Sequence, residues 1–313
     1  MAPFFGYHMH SFSFPGVAPD RLFDRVVELA QAAEAADFDL VTVMDHFYQI
    51  GGNGPETEPM LEAYTALAGI AARTSRVRLG TLVTGVTYRN PAVLANIVST
   101  LDVVSRGRAI LGIGAAWNES EHIGYGIEFP PIGRRMDMLE EALTIAKLMF
   151  TEERPSFAGK FYRIERALNS PRPIQAGGPP ILIGGMGEKR TLKLAARFAD
   201  MTHWFGGSIE NLKRLNGVLE GHCEAEGRDP ATIFRTIGAP VLLVRNEKEG
   251  KELAERVPAE VQARTGQPAT PDQAAGRIRP YMDAGFTGFT FGNSSLATPE
   301  LIAAAGELKK LLS

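Results

Sequence analysis

Histidine titrates closest to neutrality of the side chains and works as acid, base or metal ligand. The chain has 6 histidines, and four of them, His8, His10, His46 and His203, stand where a short apolar run ends. Any one of these could be a hydrogen-bonded core residue, so their shared location counts for more than any single one. Gly184-Gly185-Met186-Gly187 opens a predicted helix. Glycines there bring backbone N–H groups close to an anion such as phosphate, and the same run also makes a tight turn. Asn118 precedes Glu121 by the spacing of a capping box, so it is either a helix cap or a ligand contact. Trp117 is either core or a wall against a ligand's ring. His8 and His10, with His203, make half of a zinc site. The other runs end in glycine or apolar residues, and the last ends without an aspartate. A metal-dependent hydrolase is thus an alternative, and no metal site is predicted.

These residues meet only if the elements around them form one face. Residues 4–8, 40–44, 77–83, 109–113, 181–183, 200–203, 235–244 and 287–291 read as short buried strands. Residues 20–36, 59–73, 91–105, 134–150, 188–197, 209–226, 271–283 and 299–312 read as helices. In the first of these Leu22, Val26, Leu29 and Ala33 share a face, and Pro91 suits the first turn of the third. Eight strands alternating with helices imply a parallel sheet. Closure into a (β/α)8 TIM barrel leaves no unpaired edge and is the predicted α/β architecture; an open doubly wound sheet is the competitor. In a barrel, active sites form at the carboxyl ends of the strands, where the four histidines fall.

The whole chain, 1–313, reads as one barrel domain with an insertion at about 151–180, after the fourth βα unit. That segment is rich in proline and glycine and too long for a simple connection. It is predicted to cover the carboxyl-end face; a surface excursion is the other reading. Residues 51–59 form a second loop, after the second strand.

Composition bounds the partners. The 313 residues are 44% hydrophobic and 22% charged, with net charge −3, which excludes a disordered chain and argues against nucleic acid. The 1 cysteine, Cys223, allows no internal disulfide and no cysteine cluster. The first residues lack a signal-peptide pattern, and no apolar window is long enough to span a membrane. The expectation is a cytoplasmic protein acting on a small molecule.

Gly80-Thr81-Leu82-Val83-Thr84-Gly85-Val86-Thr87-Tyr88-Arg89-Asn90-Pro91 resembles the third-strand signature of luciferase-like monooxygenases. Leu101-Asp102-Val103-Val104-Ser105-Arg106-Gly107-Arg108, leading into Leu111-Gly112-Ile113-Gly114-Ala115-Ala116-Trp117-Asn118, is similar too. So are Phe157-Ala158-Gly159-Lys160-Phe161-Tyr162 and Pro179-Pro180-Ile181-Leu182-Ile183-Gly184-Gly185, in the family's order. The resemblance implies a (β/α)8 barrel with an insertion over its mouth, and a flavin or the deazaflavin coenzyme F420. Asp45-His46-Phe47 with Trp117-Asn118 is most similar to the F420-dependent oxidoreductase branch, with FMN as the alternative cofactor.

Position by position, the resemblance implies a non-prolyl cis peptide at Leu82-Val83 behind the central ring, lined also by Thr84. It implies that His46 sits by the redox-active carbon and handles a proton. Asn118 would contact the phosphate or sugar-like chain, and Gly185, Met186 and Gly187 the phosphate. Asp45, Ala115, Trp117 and Gly184 complete the cofactor set; His10, Trp117 and His203 would line the substrate pocket. The sugar-phosphate dehydrogenases of this group carry a glutamate after strand four, where this chain has Trp117, with Glu119 and Glu121 nearby. That difference points to a small, fairly apolar substrate receiving or giving a hydride. An FMN-dependent monooxygenase using dioxygen and a non-catalytic cofactor-binding protein are the rival readings. A homodimer is implied.

Overall fold

The computed structural model describes residues 3–257, 262 and 265–313. All eight predicted strands form, as β1 (Phe4–Met9), β2 (Leu40–Val43), β3 (Arg78–Thr81), β5 (Ala109–Gly114), β8 (Ile181–Gly184), β9 (Met201–Trp204), β10 (Phe234–Gly238) and β11 (Gly288–Gly292). A two-residue strand, β4 (Thr84–Gly85), continues β3 beyond the cis Leu82-Val83 peptide. The sheet runs β3-β2-β1-β11-β10-β9-β8-β5-β4, all parallel, and pairing of β3 with β5 closes it into a barrel. Phe4 pairs with Gly288, Gly6 with Leu40 and Leu79 with Ala109.

Alternation along each strand decides what fills the barrel. Leu40, Leu82, Ile110, Leu182 and Met201 form an inner apolar cluster, with Phe4 and Phe234 against it. Two residues further up β2 is Thr42 and up β5 Gly112; β8 reaches Gly184 and β9 His203. The interior therefore passes from an apolar floor to glycines and histidines at the carboxyl end. The alternate residues, among them Phe5, Tyr7, Val41 and Leu111, face outward into the larger core beneath the helices.

The helices are α1 (Leu22–Ala35), α2 (Ala63–Ala71), α3 (Pro91–Ser105), α4 (Glu119–Tyr125), α5 (Ile132–Thr151), α6 (Thr191–Phe198), α7 (Ile209–Ala225), α8 (Glu247–Ala254), α9 (Pro271–Asp283) and α10 (Pro299–Leu311). α3 and α9 match their predicted bounds. Asn90 caps α3 through the N–H of Ala92, and a Thr270–Gln273 capping box opens α9. α2 starts later than predicted because the Glu62 carboxylate accepts from the Thr65 N–H. The strand predicted over 235–244 ends at Gly238, and α8 was not foreseen because its face is charged.

None of residues 151–180 lines the cavity at the carboxyl-end face. The segment forms a small antiparallel pair, β6 (Phe157–Ala158) with β7 (Arg163–Ile164), and lies along α3 and α5. Carboxylates on those helices anchor it. Asp102, fully buried, accepts from the N–H groups of Ile174 and Gln175, and Glu141 from those of Lys160, Phe161 and Tyr162. Asn169 donates to the Ser99 hydroxyl and the Met149 carbonyl.

Two glycines let β3 and β5 close the barrel. A Cβ on Gly80 would stand 2.7 Å from the Ile110 carbonyl oxygen, and one on Gly112 would collide with the Thr81 carbonyl oxygen. Backbone atoms cannot rotate away. Gly112→Ala is expected to destabilise the fold by at least about 1–3 kcal/mol, the usual range for overpacking. Urea unfolding checks this; an unchanged midpoint would contradict the close approach.

Candidate functional site

The carboxyl ends of the strands surround a cavity of about 520 Å³. β1 contributes His8, and His10 follows just past its end; the chain after β2 contributes Met44, His46, Ile50 and Asn53. The Leu82–Gly85 turn, Tyr88 and the run Gly114–Trp117 form a second side; Gly184, His203, Phe205, Gly238, Ala239, Thr290 and Gly292 complete the wall. Val83 forms a ridge between glycines: a Cβ on Gly114 or on Gly184 would come within 3.0 Å of its methyl groups. Ile50 and Asn53 bring the chain after β2 to the cavity. Trp117 and Phe205 stand at the mouth, 61% and 68% exposed.

His46 is held by an unusual partner set. Its Nδ1–H donates to Glu121 Oε1 at 2.6 Å. The Tyr88 hydroxyl donates to the same oxygen, and the Phe47 N–H donates to Oε2 at 2.8 Å. Glu121 lies on α4 and is fully buried. Burial alone would raise its pKa; the donors from His46, Tyr88 and Phe47 outweigh that and hold the carboxyl below the ordinary range. Burial and the bond to Glu121 push the Tyr88 phenol upward, so it stays a donor. With Nδ1 committed, Nε2 is the His46 nitrogen left for the cavity, and the ring meets Trp117 edge-on at 5.5 Å.

The other cavity histidines are uncharged at neutral pH. Burial pushes His203 down to about 3, and its Nδ1 pairs with the Thr236 hydroxyl at 2.9 Å. Burial, then the neighbouring histidines, holds His8 well below the usual range, with Nδ1 against Thr42 at 3.0 Å. Burial lowers His10 too; its Nε2 pairs with the Ser294 hydroxyl. Among the described residues no group of three His, Cys, Asp or Glu is placed to hold a metal.

Several expected residues lie elsewhere. Asp45 is buried but does not line the cavity. Its carboxylate takes both terminal nitrogens of Arg89, at 2.7 and 3.2 Å, the pairing that best offsets a buried charge. Asn118 opens α4, and its side chain accepts from Ser120 instead of facing the cavity. Glu121 does not reach back to it, so the capping box does not form. Of the glycine run only Gly184 lines the cavity. The Gly185 N–H donates to the His203 carbonyl at 3.0 Å, Met186 packs on the core, and α6 begins only at Thr191. Leu82, Val83, Thr84, Ala115, Trp117, His10, His46 and His203 all line the cavity. Tyr88, Phe205, Asn53 and the Glu121–His46 bond were not foreseen as parts of the site. The glycine pair after Phe205 was the one signal for a loop at that strand end.

A barrel with its polar residues gathered at the strand carboxyl ends defines a TIM-barrel protein with a small-molecule pocket. Residues 5–292 match the model of the luciferase-like monooxygenase family, and the chain belongs to that family. It is 34% identical to the F420-dependent glucose-6-phosphate dehydrogenase of Kineococcus radiotolerans, over 88% of this chain and 87% of that protein. It is 32% identical to the enzyme of the same name from Nocardia farcinica, over 85% of this chain and 87% of that one. In fold it is similar to an F420-dependent secondary alcohol dehydrogenase solved with an F420–acetone adduct, with TM-score 0.79, 20% identity and 100% of both chains covered. It is also similar to the long-chain alkane monooxygenase LadA, with TM-score 0.83, 17% identity and 99% and 92% of the two chains covered.

The depressed histidines have a consequence for stability. Below about pH 6.5 the unfolded chain takes up protons that folded His203 refuses until about pH 3. Stability is therefore full above the unfolded value and falls as pH drops through that window. His203→Asn is expected to lose less stability than the parent between about pH 7 and about pH 5, read as the shift in urea midpoint. An identical shift in both would contradict a neutral buried His203.

Proposed function

We propose that this chain is a coenzyme F420-dependent oxidoreductase acting on a small alcohol or its carbonyl counterpart. The observation that carries the reading is His46: it lines the cavity beside the Leu82–Val83 ridge, with Nδ1 bound to buried Glu121 and Nε2 left for the cavity. Its relatives at 30% identity and above that are named as F420-dependent dehydrogenases support the cofactor.

The donor set fits a flat heteroaromatic ring. The cavity offers apolar surface from Met44, Leu82, Val83 and Ala115, glycines that keep the wall thin, and uncharged histidines that hydrogen-bond without adding charge. A Cβ on Gly292 would enter the space beside His10, and one on Gly85 would press on Tyr88 and Ala116. When bound, the deazaflavin supplies a centre that takes up or releases a hydride.

The chain's own residues do the rest. Leu82, Val83 and Thr84 would back the ring. His46 Nε2 would take or return the substrate's proton, with Glu121 offsetting the charge on the imidazolium. Trp117, Phe205 and Ile50 would exclude water and favour an apolar substrate body. The cavity wall has no lysine or arginine among its described residues to receive a phosphate, which favours an unphosphorylated substrate. The relatives named for glucose 6-phosphate set the opposite expectation, so both substrate types belong in any screen.

Fluorescence titration of the purified protein with coenzyme F420 and with FMN tests the cofactor. Tighter binding of F420 is expected. Binding of FMN alone, with dioxygen uptake on turnover, would replace this reading with a monooxygenase. His46→Ala is expected to lower kcat by about 10²–10⁴-fold, the usual share of general acid–base catalysis, while the cofactor Kd changes far less. Equal losses in both would reduce His46 to a cofactor contact.

A further inference from the structure

Glu121, behind the cavity wall, accepts from three donors on elements other than its own helix. It is a fully buried carboxylate with no arginine or lysine on it among the described residues. Its donors come from two separate loops: His46 and the Phe47 N–H from the chain after β2, and Tyr88 from the chain after β4. If capping α4 were its task, it would bond the N–H groups at the start of its own helix. It bonds none of them; it faces the cavity loops instead.

We infer that Glu121 is a positioning residue that fixes which nitrogen of His46 can exchange a proton with the substrate. This rests on the reading of His46 given above and deepens it. An ionised carboxylate can only accept. Its low pKa keeps it ionised, so His46 must carry its hydrogen on Nδ1, and the neutral ring presents the Nε2 lone pair to the cavity. Once Nε2 is protonated, the same carboxylate faces the imidazolium at 2.6 Å and stabilises it. Tyr88, kept protonated, and the Phe47 N–H hold the carboxylate so that it does not rotate away from the ring.

Glu121→Gln separates this from a packing role. The three donors differ in what they can change. The Phe47 N–H is fixed in the backbone and must find an oxygen. The Tyr88 hydroxyl can turn to accept, and His46 can switch tautomer. The amide oxygen therefore goes to Phe47, and the amide NH₂ turns to His46, where it forces the hydrogen from Nδ1 to Nε2. Loss of the correct tautomer on such a replacement is the reason the equivalent change cripples serine-protease triads.

The test is ¹⁵N NMR of ring-labelled histidine in the cofactor-free protein, with His46→Asn used to assign the His46 signals, followed by kinetics of each variant with the coenzyme. The wild type should show the Nδ1–H tautomer for His46, and Glu121→Gln the Nε2–H tautomer. Glu121→Gln should lower kcat by about 10²-fold or more with a displaced pH–rate profile, with little change in KM or cofactor Kd. Glu121→Asp should restore part of kcat by keeping an acceptor-only group. A wild-type His46 hydrogen on Nε2 would overturn the inference, and that measurement does not depend on Glu121→Gln folding. An unchanged tautomer and kcat in Glu121→Gln would overturn it too. If the tautomer switches but His46→Asn turns over normally, the positioning stands and the assignment of His46 to proton transfer fails instead.

Discussion

What fills the carboxyl end of the barrel governs everything else in this molecule. Alternation along the strands places Leu40, Ile110, Leu182 and Met201 at the floor and then, two residues on, switches to threonine, glycine or histidine. A TIM barrel's interior is normally packed solid with branched side chains. Here the upper positions are occupied by Gly114, Gly184, Gly238 and Gly292, and the space they leave is the cavity. The same substitution of glycine for bulk lets β3 approach β5 and lets Val83 stand as a ridge between Gly114 and Gly184. Closure of the barrel and the shape of the site are thus one requirement.

Electrostatics divides the site into two halves. Toward β1, β9 and β11, half-buried His8 and His10 and buried His203 pair with hydroxyl groups, and burial favours their neutral forms. Toward β2 and β4, charge is allowed but always matched: Arg89 bridges Asp45 and Glu62 and lies over the Tyr64 ring, and Glu121 gathers three donors. Tyr64 shares a hydrogen bond with the Thr84 hydroxyl at 2.8 Å, so the charged cluster also steadies the turn at the cavity edge. A proton-handling residue belongs in the half that can balance a new charge, and that is where His46 sits.

The fold was legible because short buried runs alternate with helical faces along most of the chain, and because Pro91 marks a helix start that the structure keeps. The strand ends correctly located His10, His46, Thr84, Ala115, Trp117, Gly184 and His203 at the cavity. Asp45 and Asn118, expected at the cofactor, do not line the cavity, for a shared reason. A position next to a strand end fixes the backbone, whereas the side chain goes to its strongest partner, Arg89 for one and Ser120 for the other. The insertion, expected over the mouth, contributes no residue to the cavity wall; carboxylates on the helices beside it, Asp102 and Glu141, hold its backbone. Glu121 was visible only as a spacing from Asn118; its bond to His46 joins residues 75 apart in sequence and needed the folded barrel to be seen.

The central claim is that the cavity supports coenzyme F420-dependent oxidation or reduction without dioxygen. The direct measurement is anaerobic turnover with F420 against a panel of small secondary alcohols and sugar phosphates, following the coenzyme's absorbance. Reduction of the coenzyme by an unphosphorylated alcohol is expected, with loss of that activity in His46→Ala. Turnover seen only with FMN and dioxygen would contradict it.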